Sequence, residues 1–389
     1  MAKETPGRQR ATSFLEQLQR ATYDAWHLTP TRTNDAEQAK FVRTFVESQY
    51  PSADEEQRED LIKAFAGELA RRTARVPTAY EEPGWYAVME NLSEDIGKSA
   101  DEAELVIPTN PLLGTLPTGQ INAMTLRVPG SDDYLIVFEW QLFLFALLLS
   151  KAVARALPLR QTEDEGFSFS AQKDDIAQRI DSDKSVVYRF ADVLLAYAAT
   201  GEPSRARPYL PEVHYGRLAD VLRRSMELFV MGHEYAHIIL GHLSSAQSTE
   251  TTLSEAEMLE YSWVQEYQAD MMGSSLMIRA MLRGGMDASM SYWGCDFFFS
   301  AIDVMDKAVS VLNGEEETAM KLGSHPPTKE RREMLRQLLP EMIGEKHAND
   351  ALGLSRILED VTDLLWQRTR PVIASARSRG VRPAPWWQG

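Results

Sequence analysis

The sequence is poor in cysteine and in positive charge. Cys295 is the only cysteine among 389 residues, which excludes an intramolecular disulfide and fits a protein of the reducing cytoplasm. Lysine and arginine number 41 against 57 aspartate and glutamate residues, so the net charge is −16. Such a negative field disfavours nucleic acid and anionic membranes as partners, because both carry the same sign of charge.

Long hydrophobic segments are also missing. Glu139 and Gln141 interrupt the most apolar stretch, residues 134–149, whereas a membrane span needs about 20 apolar residues. We therefore interpret this stretch as a strand followed by a buried helix. The polar first 30 residues lack the apolar core of a signal peptide. These absences predict a cytoplasmic protein without a membrane span.

The residues that are present predict a folded, mainly helical protein. Apolar residues make up 44% of the chain and charged residues 25%, as in globular proteins. Two strand-like runs within residues 122–138 flank Pro129–Asp133, which predicts a β-hairpin with a five-residue loop. The acidic stretch 161–183 is typical of a surface loop or an exposed helix. The predicted class is α+β, predominantly α-helical, with a small sheet. We predict these domains: a helical N-terminal region 1–110, a main domain 111–345 with an insertion at about 152–212, and a C-terminal helix and basic tail 346–389.

One histidine motif carries candidate chemistry. The pattern His233-Glu234-x-x-His237 lies between the apolar segments 228–231 and 238–240, which predicts a buried helix. Positions i and i+4 of a helix face the same direction, so both imidazoles can bind one zinc ion. Glu234 lies about 100° further around the helix and can act on a water at the metal without being a ligand. A helix whose histidines are merely hydrogen-bonded is the alternative.

Catalytic zinc needs a third protein ligand and keeps the fourth position open. A histidine six residues after His237 is excluded, because Leu243 stands there. His242 would lie about 140° away if the helix continued, so we interpret it as structural or as the partner of a ligand. Glu266 and Asp270, four residues apart in a later apolar stretch, fit better as zinc ligand and as hydrogen-bond acceptor from a ligand histidine. Without the histidine motif, Glu266 and Asp270 would be interpreted as part of a solvent-exposed acidic helix face.

Together these motifs resemble the glutamate-ligand zinc metallopeptidases, the gluzincins, and within them the HtpX-like and CAAX-prenyl-endopeptidase group. The segment Ser324–Arg331 is similar to the His-Pro motif of that group, and Asn122–Ala123 is similar to the pair that opens its active-site edge strand. The four pieces span about half of the chain. Members of the group often have transmembrane helices beside the zinc motif, and this sequence has no clear one, so this departure from the pattern of the group indicates a soluble member.

The resemblance implies a zincin-like metallopeptidase domain with one Zn²⁺ per chain. His233, His237 and Glu266 would hold the ion, and Glu234 would be the general base of peptide-bond hydrolysis. Protein or peptide substrates would bind to the hairpin as an added strand. The alternative is a catalytically silent scaffold of the same fold that acts as a protein-binding or regulatory module.

Two further roles depend on the resemblance. His325 would be the second donor to the oxyanion, with Tyr267 and Tyr261 as rival candidates. Arg331 would anchor its segment to an acidic group. Separately, the basic tail after residue 368 either packs on the acidic body of the protein or docks a partner.

Overall fold

The computed structural model consists mainly of helices, with a small sheet, which confirms the predicted α+β class at that level of detail. It describes residues 6–29, 39–40, 42–44, 46–47, 50, 54–119, 121, 123–161, 167–243, 255–315 and 326–388.

The described helices and strands are numbered in chain order. The helices are α1 (Pro6–Ala25), α2 (Glu55–Thr73), α3 (Pro83–Glu102), α4 (Leu142–Ala156), α5 (Lys173–Ser182), α6 (Lys184–Thr200), α7 (Val213–Ile239), α8 (Glu255–Arg283), α9 (Ala288–Ser291), α10 (Trp293–Asn313), α11 (Thr328–Ile343) and α12 (Glu345–Ser378). The strands are β1 (Leu112–Leu116), β2 (Ala123–Arg127), β3 (Tyr134–Glu139), β4 (Leu159–Gln161) and β5 (Phe167–Phe169). Short 3-10 helices cover Pro203–Arg205 and Pro385–Gln388.

The chain forms two compact units. The first comprises Met1–Ser93, Thr109–Pro117 and Leu126–Trp140, and the second comprises Glu94–Pro108, Thr118–Thr125 and Gln141–Gly389. This division follows contacts within the chain, and the domains proposed from the sequence, 1–110, 111–345 and 346–389, stay a prediction.

In the first unit, α1 packs on the sheet and shares a buried polar network with it. The Gln19 amide donates to the carboxylate of Glu81 at 2.5 Å and to the carbonyl oxygen of Thr115 at 3.0 Å. The backbone N–H of Thr115 also donates to Glu81, at 2.9 Å. Burial raises the pKa of Glu81 to about 7. The network satisfies these buried polar groups, which would otherwise be costly to bury.

The two strands predicted within residues 122–138 are confirmed as β2 and β3, and the sheet has a further strand, β1, that the sequence analysis did not predict. β1 and β3 are parallel, with Leu112 opposite Leu135, and the strand order β1-β3-β2 puts β3 in the middle. The connection between β2 and β3 is one residue longer than predicted, because Val128 has left the strand and donates its N–H to the carbonyl of Asp133 at 2.9 Å. The apolar stretch 134–149 forms β3 and the start of buried helix α4, as interpreted from the sequence.

The acidic stretch 161–183 differs from the sequence-based expectation, which did not include strands. Its start contributes to the antiparallel pair β4–β5, and Lys173–Ser182 forms α5. The ring of Phe169 lies 6.0 Å from that of Trp293, so an aromatic contact accompanies the short strand. An apolar contact of this kind has no signature in the charge pattern of the segment.

In the second unit, α4, α8 and α10 pack against the long helix α7. Gly294 of α10 lies so close to α7 that a Cβ there would overlap the backbone of Ser225. The neighbouring Cys295 is fully buried, and burial raises the pKa of its thiol. This matches the small buried side chain expected from its apolar surroundings in the sequence.

The end of the chain packs on the same unit. The Trp386 ring occupies the space beside Gly119 and Gly201, both with a left-handed backbone. The N–H of Ala384 donates to the carbonyl of Ala198 at 2.8 Å. Arg368 pairs with Asp181 at 2.9 Å, as expected for a basic tail on an acidic body. Docking of a partner by this tail stays a prediction.

Among the described helices, none has the length and apolarity that crossing a lipid bilayer requires.

The tight approach of α10 to α7 predicts that Gly294→Ala destabilises the protein. The added methyl would meet backbone atoms of Ser225, which cannot rotate away. We expect a loss of about 1–3 kcal/mol in the free energy of unfolding, measured by chemical denaturation. Gly353→Ala in α12 is the matched control, because its Cβ would meet nothing within 4 Å. That variant should be neutral or slightly stabilised. Equal stability of both variants would contradict the close packing of α10 and α7.

Candidate metal centre

Helix α7 brings the histidine motif into the interior. His233 and Glu234 are 7% and 5% exposed, and His237 is partly buried one turn later. Apolar residues precede and follow the motif, so the helix is buried on more than one face at this point. The two imidazoles lie on one side of the helix, with ring centroids 4.9 Å apart. The motif therefore has the helical setting predicted from its spacing.

Helix α8 completes the cluster with Glu266. His233 Nε2 lies 3.2 Å from His237 Nε2 and 3.4 Å from Glu266 Oε2. His237 Nε2 lies 3.6 Å from Glu266 Oε1. These three residues form a group whose possible ligand atoms all lie within 4.8 Å of one another. The residues predicted as ligands from the sequence are thus brought together around one point.

Two glycines allow α7 and α8 to pack backbone to backbone next to the cluster. A Cβ on Gly232 would lie 2.7 Å from the carbonyl oxygen of Gly273, and a Cβ on Gly273 would lie 2.5 Å from the backbone nitrogen of His233. Any side chain at either position would therefore push α7 and α8 apart. Because His233 directly follows Gly232, this crossing sets the distance between the imidazoles and the Glu266 carboxylate.

Asp270 and Arg331 hold His233 from the other side. Asp270 is fully buried, and its Oδ1 lies 2.9 Å from His233 Nδ1. Arg331 of α11 binds the same carboxylate with two N–H groups, at 2.7 and 2.6 Å. Its guanidinium also lies over the ring of Phe299, 5.2 Å from the centroid. The acidic partner expected for Arg331 from the sequence is therefore Asp270.

These contacts determine how the histidines hold protons. Burial alone would lower the pKa of His233, but hydrogen bonds with Asp270 and Glu266 raise it to about 10. Burial and the neighbouring His233 lower the pKa of His237 to about 3, so this ring is neutral. Asp270 keeps a lowered pKa despite burial, because Arg331 binds it. Without a metal, the positive charge of the cluster therefore resides on His233.

Glu234 has a partner that the sequence analysis did not identify. The hydroxyl of Thr125 lies 2.7 Å from Glu234 Oε2 and 2.9 Å from the Glu234 backbone oxygen. Burial raises the pKa of Glu234. Thr125 belongs to β2, the strand beside the predicted Asn122–Ala123 pair. No local signal marks this threonine, because its partner is 109 positions away in the sequence.

His242 approaches His237 because α7 ends earlier than expected. The helix stops at Ile239, and Gly241 has a left-handed backbone with φ 71°. The assumption of a continuing helix, on which His242 was placed away from the ligands, is therefore wrong. Its Nδ1 lies 3.0 Å from His237 Nδ1, and its Nε2 lies 3.1 Å from Oε1 of Gln268. The interpretation of His242 as the partner of a ligand agrees with these contacts.

Other predicted residues divide into two groups. His325, Asn122 and the side chain of Tyr261 lie outside the described residues. Tyr267 is described, and its hydroxyl donates to Glu330 of α11 at 3.3 Å. That contact directs Tyr267 towards α11, which weakens its case as an oxyanion donor.

The donor set fits a zinc ion. Ligands about 2.0–2.2 Å from a tetrahedral zinc ion lie about 3.3–3.6 Å apart, and the two imidazole Nε2 atoms are 3.2 Å apart. The Glu266 carboxylate faces both rings through different oxygens, Oε2 at 3.4 Å from His233 Nε2 and Oε1 at 3.6 Å from His237 Nε2. Two imidazoles and one carboxylate form a common ligand set of catalytic zinc. The buried charges agree as well: when both imidazoles are neutral, as metal ligands are, the three carboxylates of Glu234, Glu266 and Asp270 face one cation among the described residues, Arg331. A divalent cation would balance the remaining negative charge.

Comparison with known proteins adds no further guidance, since no family model, curated protein or solved structure matches this chain.

The buried pair of Asp270 and Arg331 predicts a large effect of Asp270→Asn. The amide cannot accept two charged hydrogen bonds, so the arginine is left poorly compensated in the interior. We expect the free energy of unfolding to fall by about 3–5 kcal/mol, measured by denaturant titration of the full chain with a chelator present.

Asp181→Asn is the control for this substitution, because its pair with Arg368 is solvent-exposed. We expect a loss of less than about 1 kcal/mol there. If Asp270→Asn is no more destabilising than this control, the buried pair does not have the structural role described.

Proposed function

We propose that this chain is a zinc-dependent metalloendopeptidase of the gluzincin type, with a zincin-like domain that cleaves protein or peptide substrates. The observation that carries the proposal is the convergence of His233, His237 and Glu266 on one point, with Glu234 adjacent in the sequence. A metal-binding site alone would not need a fourth polar residue there. The buried carboxylate of Glu234 suits a residue that moves protons.

His233, His237 and Glu266 would hold the ion. A bound zinc ion supplies a Lewis acid that polarises a carbonyl oxygen and lowers the pKa of a coordinated water. Asp270 accepts a hydrogen bond from His233 Nδ1, which directs the lone pair of Nε2 towards the ligand position. Arg331 in turn fixes the Asp270 carboxylate through two hydrogen bonds.

Glu234 would act as the general base. Its carboxylate would take a proton from the attacking water and deliver it to the amine of the leaving peptide. Burial raises the pKa of Glu234, which makes the carboxylate a stronger proton acceptor. The hydroxyl of Thr125, at 2.7 Å, orients Oε2 of this carboxylate.

The substrate would bind as an additional strand along β2. This strand lies at an edge of the sheet formed by the described strands β1, β2 and β3. Edge strands carry backbone groups that can pair with an extended peptide. Because Thr125 of β2 bonds to Glu234, a peptide along β2 would run past the general base. His325 remains the proposed donor to the oxyanion, on the resemblance alone.

The alternative is a catalytically silent scaffold that binds a protein partner. Such a scaffold has no need for Glu234 or for a threonine that orients its carboxylate. The contact between Thr125 and Glu234 therefore favours the enzyme over the scaffold.

The metal site predicts about one zinc ion per chain. We expect elemental mass spectrometry of the untagged protein to find it, and Glu266→Ala to lose most of it, because two imidazoles alone bind zinc weakly. Glu330→Ala, which removes an exposed carboxylate from α11, should keep the ion. No zinc in the wild-type chain, even after zinc is supplied and the excess removed, would contradict the proposed enzyme. Full retention in Glu266→Ala would require a different third ligand.

The role of Glu234 predicts that Glu234→Gln keeps zinc but loses about 10²–10⁴-fold in turnover. Cleavage of a diverse peptide library, read by mass spectrometry, would measure this loss. Glu227→Gln is the matched control, because Glu227 is another buried glutamate on α7, bonded to Arg223 at 2.7 Å. That variant should keep turnover near the wild-type level. Full turnover of Glu234→Gln would mean that another group is the base.

A further inference from the structure

We propose that His242 and Gln268 are positioning residues that select the tautomer of His237 able to bind the metal. The inference deepens the proposed function and rests on it, because it assigns a role towards the same metal ligand. Asp270 serves His233 in a comparable way. On the Nδ1 side of His237, the partner among the described residues is not a carboxylate but a neutral hydrogen-bond chain through His242 to Gln268.

The end of α7 places His242 beside His237. Gly241 takes a left-handed backbone, its N–H donates to the carbonyl of Ile238 at 3.2 Å, and the N–H of His242 donates to the carbonyl of His237 at 3.1 Å. This is the pattern in which a glycine ends a helix and reverses the chain. The turn brings the two rings edge to face, with centroids 5.0 Å apart.

The order of donors along the chain follows from Gln268. Its Oε1 lies 3.1 Å from His242 Nε2 and can only accept, so His242 carries its proton on Nε2. The Nδ1 atom of a neutral His242 is then an acceptor. His237 Nδ1, at 3.0 Å, must be the donor.

The consequence lies on the opposite side of the His237 ring. With its proton on Nδ1, neutral His237 has a lone pair on Nε2, the atom that lies 3.2 Å from His233 Nε2 and 3.6 Å from Glu266 Oε1. The reverse order would put a proton on His237 Nε2, between the ligands, and would close the site to a metal. The chain from Gln268 to His237 therefore favours the form of the ring that can be a ligand.

Two isosteric substitutions separate this role from simple packing. In His242→Asn, Oδ1 takes the place of His242 Nδ1 and can still accept from His237. In His242→Gln, the amide reaches the place of Nε2, and the acceptor for His237 is lost. Both variants are polar and similar in size, so a packing role would affect them alike.

The first readout is the zinc dissociation constant of the full chain, measured by competition with a chromophoric chelator. We expect His242→Asn to stay within about threefold of wild type and His242→Gln to bind about 10–100-fold more weakly. Thermal unfolding of the metal-free variants shows whether each is folded. Equal affinities for the two variants, whether both wild-type or both weakened, would overturn the proposal.

The second readout is the tautomer itself. Long-range ¹⁵N–¹H correlation spectra of ¹⁵N-histidine-labelled protein resolve a small set of rings, since the chain has 7 histidines. In the metal-free wild type, His237 should carry its proton on Nδ1, and the population of this tautomer should fall in His242→Gln. If the wild type binds no zinc, the proposed enzyme fails; if it binds zinc but the metal-free His237 carries its proton on Nε2, only the present inference fails.

Discussion

The candidate site depends on how closely α7 and α8 can approach each other. Gly232 and Gly273 meet backbone to backbone, where a methyl group on either would overlap the other helix. Ligands on separate helices can share one ion only if the distance between the helices is fixed to within a fraction of an ångström. A closely packed interior fixes this distance, because it resists displacement of one helix relative to the other. The crossing therefore converts a pattern of side chains into a cluster of defined dimensions, with His233 directly after the contact.

A second constraint is electrostatic. Carboxylates buried in a helical interior are costly unless they are compensated, and here Arg331 compensates Asp270 most directly. The Arg331–Asp270 pair orients His233 and leaves the Glu266 carboxylate facing the two imidazoles. A cation bound at this point would offset the excess of negative charge in the interior of this unit. The same buried carboxylates that require compensation in the folded protein would also provide the charge that attracts the proposed metal ion.

Local patterns in the sequence predicted much of this arrangement, but they could not predict contacts between residues that are far apart in the sequence. The spacing of His233 and His237 indicates a shared helix face, and the pair Glu266–Asp270 repeats that spacing on a second helix, so periodicity suffices for both. The hydrogen bond between Thr125 and Glu234 joins a strand to a helix across 109 positions, and no periodic pattern in the sequence predicts it. The strands β4 and β5 were missed for a related reason, since backbone pairing between two short segments joins them and the acidic composition of the stretch does not indicate it.

The end of α7 has a thermodynamic consequence. The ring of His242 reaches His237 only after the left-handed turn at Gly241, so the turn and the ligand are coupled. If His237 binds a metal as proposed, linkage requires that the factor by which the formed turn would strengthen metal binding equals the factor by which a bound metal would favour the turn. Occupancy of the site would then be felt by the backbone beyond the helix, where protection of the His242 amide against hydrogen exchange would report it.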